Sequence, residues 1–294
     1  RSRGLGDVYK RQSLFFLFLV PILGTEVKGS KRWLNFFFLP RFQPIELVKP
    51  FIIIFITTIL CSEKNFNIYF KYLLTFIAIV PVCLLLMMQP DIGQTLLIFL
   101  AWATLVFVSG ISLLIILTFF SFSLLSLVYM VFFIPKFIYI KKRLLSFVNP
   151  NDGTHNFQSD KAIDAISSGS YFGKGIGEGT LKNRVPEAHT DYIIAVISEE
   201  FGVVAIVLLL VLFLFFIYIV FQKIYLEKDE KIKLVLTGTI CVIIFQVLIH
   251  VGVNIRLFPT TGMTLPFLSY GGSSIVGVSI LSGVILNLTK RKID

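Results

Sequence analysis

Long apolar runs dominate the chain, separated by short polar connections. Spans are expected at roughly residues 13–24, 45–61, 68–88, 92–109, 111–134, 191–221, 233–257 and 272–288. That makes about eight helices, of which the first is too short to cross alone and looks cut on its N-terminal side. Three connections stand out. Residues 25–44, "TEVKGSKRWLNFFFLPRFQP", form an amphipathic re-entry, and residues 135–190 form one long polar loop. Residues 258–271, "FPTTGMTLPFLSYG", form a Pro/Gly-rich hairpin too apolar for an ordinary exposed loop. If the spans alternate, all three fall on one side of the membrane. The other side then holds "SEKNFN", an "SG" turn, "QKIYLEKDEKIK" and the tail "TKRKID". No internal repeat is visible.

Composition turns this pattern into a class. Of 294 residues 56% are hydrophobic and 15% charged, Phe alone contributes 31, and mean hydropathy is +0.86. A soluble domain cannot hide that much apolar surface, so the expected fold is all-α, a polytopic helical membrane protein. The net charge of +10 fits basic loops near lipid headgroups. Nucleic acid is not an expected partner, since no basic patch is interleaved with polar readout residues. Cys61, Cys83 and Cys241 lie in or beside apolar runs without CxxC spacing, which argues against disulfides and metal. The first twelve residues, "RSRGLGDVYKRQ", are polar and end abruptly at "SLFFLFLV". They resemble translated adaptor sequence, and the native domain is expected to run from 13 to 294. Charge counting leaves orientation unsettled. The long loop and the re-entry both carry many Lys and Arg, but long loops obey the positive-inside rule weakly.

Several motifs carry candidate chemistry, each beside a plainer reading. "KGSKRW" and "FQPIELVK" bring Lys31, Arg32 and Lys49, with Glu46, to a membrane entry. Arg32 offers a planar fork for phosphate; the plainer reading is snorkelling cations and an aromatic anchor at Trp33. Glu46 and Lys49 are three apart on one helical face, the spacing of a structural ion pair. "QPDIGQT" places Asp91 as the N-cap of the next helix. "FGKGIGEG" resembles a phosphate loop but lacks the Lys-Ser/Thr ending, so a flexible surface turn is expected. "LPFLSYGGSS" opens the last span with Ser269, Gly271, Gly272 and Ser273. That is either an anion site at a helix N-terminus or a small-residue packing face. His250 and Asn254, one turn apart, are expected to make interhelical hydrogen bonds.

The stretch "VPEAHTDYIIAVISEEFG" sets Glu187, His189, Asp191, Glu199 and Glu200 at and inside a span, where carboxylates are costly. With the helix starting near Asp191, Glu199 lies roughly 12 Å below it and Glu200 on the opposite face. Asp191 alone is then placed to meet a ligand from the loop side, and the two glutamates are expected to pair with neighbouring spans.

Taken together, "KGSKRW", "FQPIELVK", "QPDIG", "GEGTLKNRVPEAHTDYIIAVISEEFG" and "PTTGMTLPFLSYGGSS" resemble the SEDS proteins of bacterial wall synthesis, the group of FtsW, RodA and SpoVE. The wording is closer to the FtsW branch than to the RodA branch. The resemblance implies a ten-span fold of which this chain lacks the first two helices. It places the long loop outside the cytoplasmic (inner) membrane. It implies a peptidoglycan glycosyltransferase of septal wall synthesis, polymerising lipid II with inversion at the sugar. Asp191 would be the general base, and Lys31, Arg32 and Lys49 would neutralise the lipid pyrophosphate. Glu46, Glu187, His189, Ser269, Gly271, Gly272 and Ser273 would complete the substrate site. His189 is the rival base, because imidazole titrates nearer neutral pH. No cofactor is implied, with a divalent cation left open. Expected partners are lipid II, a cognate class B penicillin-binding protein and other division membrane proteins. The alternative activity is lipid II flipping without chemistry. The chain departs from the family's common wording at Asn183, Thr261 and Pro50.

Overall fold

In lipid every backbone N–H and C=O needs an internal partner, which long apolar runs obtain only as helices. The computed structural model describes residues 15–27, 30–35, 41–62, 67–148 and 157–290. The twelve-residue segment read above as adaptor-like lies outside the described residues. The helices are α1 (residues 15–23), α2 (Pro44–Leu60), α3 (Ile68–Met88), α4 (Ile92–Val108), α5 (Leu113–Phe133), α6 (Ile138–Val148), α7 (Phe157–Gly169), α8 (Ile193–Leu226), α9 (Glu230–Asn254) and α10 (Gly272–Thr289). Strands β1 (Thr25–Val27) and β2 (Ser30–Trp33) form a small antiparallel hairpin inside the re-entry. Among the described residues α3, α5, α8, α9 and α10 are long and apolar enough to cross a membrane, and α4 is a shorter apolar helix. The chain is a polytopic helical membrane protein, as its hydropathy predicts. The long connection differs from expectation in carrying α6, α7 and a 3-10 turn at Leu181–Arg184 rather than loop alone.

The chain divides into two compact units. The first comprises the described parts of Arg1–Phe137, with Val220–Ile243 and Gly272–Asp294. Here α2, α3 and α4 pack on one another and α10 packs on α2. Pro44 starts α2, where its missing N–H costs nothing. Pro50 sits inside the same helix and offers no N–H to the carbonyl of Glu46, four residues back. That carbonyl is where α10 comes closest: a Cβ on Gly277 would stand 2.6 Å from it. The unusual proline and the glycine therefore meet at one crossing. In α5, by contrast, Val131 is the buried residue and most other side chains are exposed, as suits a lipid-facing helix, with Phe119 packing on Phe76 and Trp102.

The second unit comprises Ile138–Ile219 and Ile244–Gly271. Its core joins Ile194 and Phe213 of α8, Val247 of α9 and Leu265 of the apolar hairpin. The hairpin 258–271 hangs from polar side chains of α9. Gln246 donates to the Thr264 carbonyl at 3.0 Å, and a His250 ring nitrogen lies 2.7 Å from the Met263 carbonyl. His250, expected from the sequence to bond another helix, thus holds the hairpin instead, and Gln246, not singled out by the sequence, does the same. Arg143 of α6 donates to the Thr260 carbonyl, and Arg256 pairs with Asp160 of α7 at 2.6 Å.

Candidate active site

The turn before α8 is built on one carbonyl. The amides of Thr190, Asp191 and Tyr192 approach the Glu187 carbonyl at 3.1, 3.0 and 3.3 Å. Glu187 itself has φ of +57°, a left-handed conformation rare for a residue with a Cβ. Three further contacts fix this turn from the side. Ser269 donates its hydroxyl to the Thr190 carbonyl at 2.6 Å, and Tyr270 donates its amide to the His189 carbonyl at 2.9 Å. Asn254, the last residue of α9, donates to the Asp191 carbonyl at 3.1 Å. Asp191 is half-buried on a backbone held from several sides, two residues ahead of α8. Next to it, Tyr192 is buried, and burial, reinforced by the Asp191 charge, holds its phenol well above the usual range.

An open cleft of about 420 Å³ adjoins the turn, lined by Lys182, Asn183, Val185, Glu187, Ala188, His189, Thr190 and Tyr270. Glu187 and His189 are exposed to it, so of the residues singled out by sequence these two and Asp191 are gathered in one place. Tyr270, 79% exposed, belongs with them, and sequence reading passed over it. Its neighbours Ser269 and Gly271 had drawn the attention.

The two glutamates correct the sequence reading. They do not pair with neighbouring spans; they hold the glycine-rich loop. Glu199 accepts the amides of Leu181 and Lys182 at 2.9 and 2.6 Å, with the Lys174 ammonium at 3.6 Å. Glu200 accepts the Gly177 amide at 3.2 Å and pairs with the Lys182 ammonium. Nor do they stand in the middle of a continuous span, because α8 is broken at Gly202 (φ 81°, ψ 176°). The break replaces two helical hydrogen bonds by four to the loop. In an unbroken helix the carbonyls of Glu199 and Glu200 would take the amides of Val203 and Val204. Those amides instead donate to Ser170 and Tyr171, and the freed carbonyls accept Lys174 and Gly175 at 2.9 and 3.1 Å. The approach is close enough to require glycine. A Cβ on Gly173 would stand 2.2 Å from the Glu200 carbonyl oxygen, and one on Gly179 would stand 2.8 Å from the Glu199 carboxyl carbon. "FGKGIGEG" is thus a docked loop and not a free turn.

Other assignments change as well. Ser269 is buried, and its hydroxyl both donates to Thr190 and accepts the Leu265 amide at 2.8 Å, which makes it a brace for the turn. Lys49 and Glu46 are buried and paired at 2.6 Å, with Gln94 donating to the other Glu46 oxygen at 2.7 Å. The i,i+3 ion-pair reading is the one observed. Arg32, also buried, turns its guanidinium onto the carbonyls of Gln89 and Pro90 at the C-terminal end of α3, with Asp91 at 3.7 Å. Asp91 caps α4 through the Gln94 amide, as its position predicted, and takes Gln43 at 2.9 Å. The fork read as a phosphate ligand is occupied by protein groups. Lys31 is exposed on β2. Gly272 and Ser273 open α10, the glycine exposed and the serine buried. Among the described residues no group of His, Cys, Asp and Glu is placed to hold a metal ion.

A multi-helix membrane protein with an open cleft and a braced carboxylate at the head of a long apolar helix is the class these features define. The family model for FtsW, RodA and SpoVE, described as cell cycle proteins, matches residues 8–293, and the chain belongs to that family. A protein of Caulobacter vibrioides (strain NA1000 / CB15N) named probable peptidoglycan glycosyltransferase FtsW is 32% identical over 297 residues, covering 96% of this chain and 73% of the relative. One of the same name from Nitrosomonas europaea is 35% identical over 283 residues, covering 94% and 72%. Among solved structures, a chain from work on structural coordination of polymerization and crosslinking by a peptidoglycan synthase complex aligns with TM-score 0.79 and 29% identity, over 100% of this chain and 84% of the other. The rod shape determining protein RodA of Thermus thermophilus aligns with TM-score 0.65 and 27% identity, over 97% and 77%.

Proposed function

We propose that this chain is a peptidoglycan glycosyltransferase of the division branch, with Asp191 as its general base. The observation that carries the assignment is a carboxylate held half-buried by a turn braced through Ser269, Tyr270 and Asn254, beside an open cleft lined by its neighbours Glu187, His189 and Thr190. In this reading the acceptor is lipid II. The 4-hydroxyl of its GlcNAc attacks C1 of the MurNAc at the lipid-linked end of the growing strand. The new C1–O bond forms as the bond from C1 to the undecaprenyl pyrophosphate breaks, the pyrophosphate leaves with the electron pair, and the hydroxyl proton passes to Asp191. A single displacement inverts the anomeric centre, so no second nucleophile is needed. In this reading the protein sits in the bacterial inner membrane with the cleft facing outward and acts beside a cognate class B penicillin-binding protein.

The decisive experiment compares Asp191→Asn with His189→Ala in proteoliposomes containing lipid II and the transpeptidase partner. Asn keeps the shape and removes the basic oxygen. Glycan strands should vanish in the Asp191 variant, with unaltered folding and lipid II binding, and persist in the His189 variant. Strands from Asp191→Asn but not from His189→Ala would move the base to the histidine. Lipid II movement across the bilayer without any strand formation by the wild type would make the protein a flippase.

A further inference from the structure

Docking of the glycine-rich loop leaves three side chains unexplained. Tyr171, Phe172 and Ile176 are 73%, 83% and 78% exposed, among the most exposed large apolar residues of the chain. Their backbone is nevertheless fixed. The Val203 and Val204 amides donate to the carbonyls of Ser170 and Tyr171, and the amides of Lys174 and Gly175, between Phe172 and Ile176, donate to the Glu199 and Glu200 carbonyls. A fixed backbone cannot fold these side chains away, so water would meet the patch permanently unless something covers it.

What covers it follows from where the loop is fixed. The contact falls at Gly202, where α8 breaks and its uninterrupted apolar stretch begins. Phe201, Val203, Val204 and Val207, the first residues around and beyond the break, are themselves exposed, as lipid-facing residues of a span must be. The loop patch continues this lipid-facing surface directly at the mouth of the helix. Aromatic side chains at such a level belong to the headgroup zone, where an apolar ring and a polar tip are both satisfied. Tyr171 has that character.

We propose that Tyr171, Phe172 and Ile176 insert into the headgroup–acyl boundary of the leaflet on the Asp191 side and anchor the glycine-rich loop to the membrane surface. The proposal requires α8 to span a bilayer but does not depend on the chemistry assigned to Asp191. Its consequence reaches the cleft all the same. The anchored loop leads into Lys182, which lines the cleft and is held by Glu199 and Glu200. The anchor therefore fixes the height of that wall relative to the lipid surface.

The test uses the full chain with Cys61, Cys83 and Cys241 changed to alanine, carrying one nitroxide-labelled cysteine at a time. It is reconstituted in vesicles of phosphatidylethanolamine and phosphatidylglycerol. Collision of the label with oxygen, which concentrates in lipid, is compared with collision with a water-soluble nickel chelate. Labels at Phe172→Cys and Ile176→Cys should favour oxygen, as a label at the lipid-facing Leu212→Cys does. One at Glu178→Cys, on the same loop but charged, should favour nickel. Two sites in the patch keep the test valid if one variant fails to fold by gel filtration. Nickel-accessible labels at both patch sites would overturn the proposal. So would labels that become shielded from both reagents only when the transpeptidase is added, which would make the patch a protein contact.

Discussion

At the scale of single residues, the Asp191 turn is braced from outside by Ser269, Tyr270 and Asn254, each bonding to its backbone. Ser269 is the clearest case, since one hydroxyl serves both the Thr190 carbonyl and the Leu265 amide. Ser269→Ala leaves two buried backbone groups unsatisfied and should cost about 1–3 kcal/mol of stability. A fall in melting temperature measured in detergent checks this, and polymerisation should slow as the Asp191 turn loosens. Unchanged stability would return Ser269 to the substrate site. Arg32 gives a second residue-level prediction. Its guanidinium covers the carbonyls of Gln89 and Pro90 beside Asp91, so Arg32→Ala should destabilise the α3–α4 connection by roughly 1.5–3 kcal/mol. Arg32→Lys should restore only part, because an ammonium cannot reach several oxygens as a fork does. Thermal melts of the two variants would show it. A loss of lipid II affinity with wild-type stability would favour the phosphate-binding reading instead. The sequence named the residue in both cases; which way its side chain turns was beyond it.

At the scale of elements, the break in α8 and the glycine-rich loop form one unit, because each supplies the hydrogen bonds the other lacks. Gly202 has φ of 81°, and a Cβ there would stand 2.1 Å from the Tyr171 carbonyl oxygen. Gly202→Ala therefore faces both a strained backbone and a clash, and the cheapest relief is to close the helix and release the loop. Limited proteolysis between Tyr171 and Lys182 should become markedly faster in this variant. A loop as resistant as that of the wild type would show that the break does not hold it. Glu199→Gln tests the same contact from the other side, replacing a carboxylate that takes two amides by an amide with a single acceptor oxygen. It should loosen the loop in the same assay, though less than Gly202→Ala. Sequence periodicity had followed one helix from Asp191 through Glu200 and beyond, and on that ideal helix the glutamates pointed at other spans. A single glycine redirects them, and its φ is not written in the hydropathy.

At the scale of the whole molecule, the alternation of spans sets which segments share a side of the membrane. Membrane-impermeant maleimide applied to intact cells should label a cysteine at Glu178, in the loop before α8. It should spare one at Lys228, in the turn after α8. The reverse pattern would invert the orientation proposed above. The class of fold, the apolar helices and the family were legible in the sequence, but of about eight expected spans five described helices are long and apolar enough to cross, and the run expected over 191–221 is broken at Gly202. Lipid forces apolar runs into helices, and motif wording survives as residue order. Local roles set by near neighbours were legible too, as with the Asp91 cap and the Glu46–Lys49 pair, since helix geometry places i,i+3 residues together without help from the rest of the chain. Only the tertiary structure decided the fate of groups whose partners lie far away in sequence. It turned Arg32 and Ser269 inward, hung the 258–271 hairpin from Gln246 and His250, and closed the glycine-rich loop on Glu199 and Glu200. A buried polar group must find a partner wherever the fold brings one within about 3 Å, and that partner's address is a property of the packed chain rather than of the residues on either side.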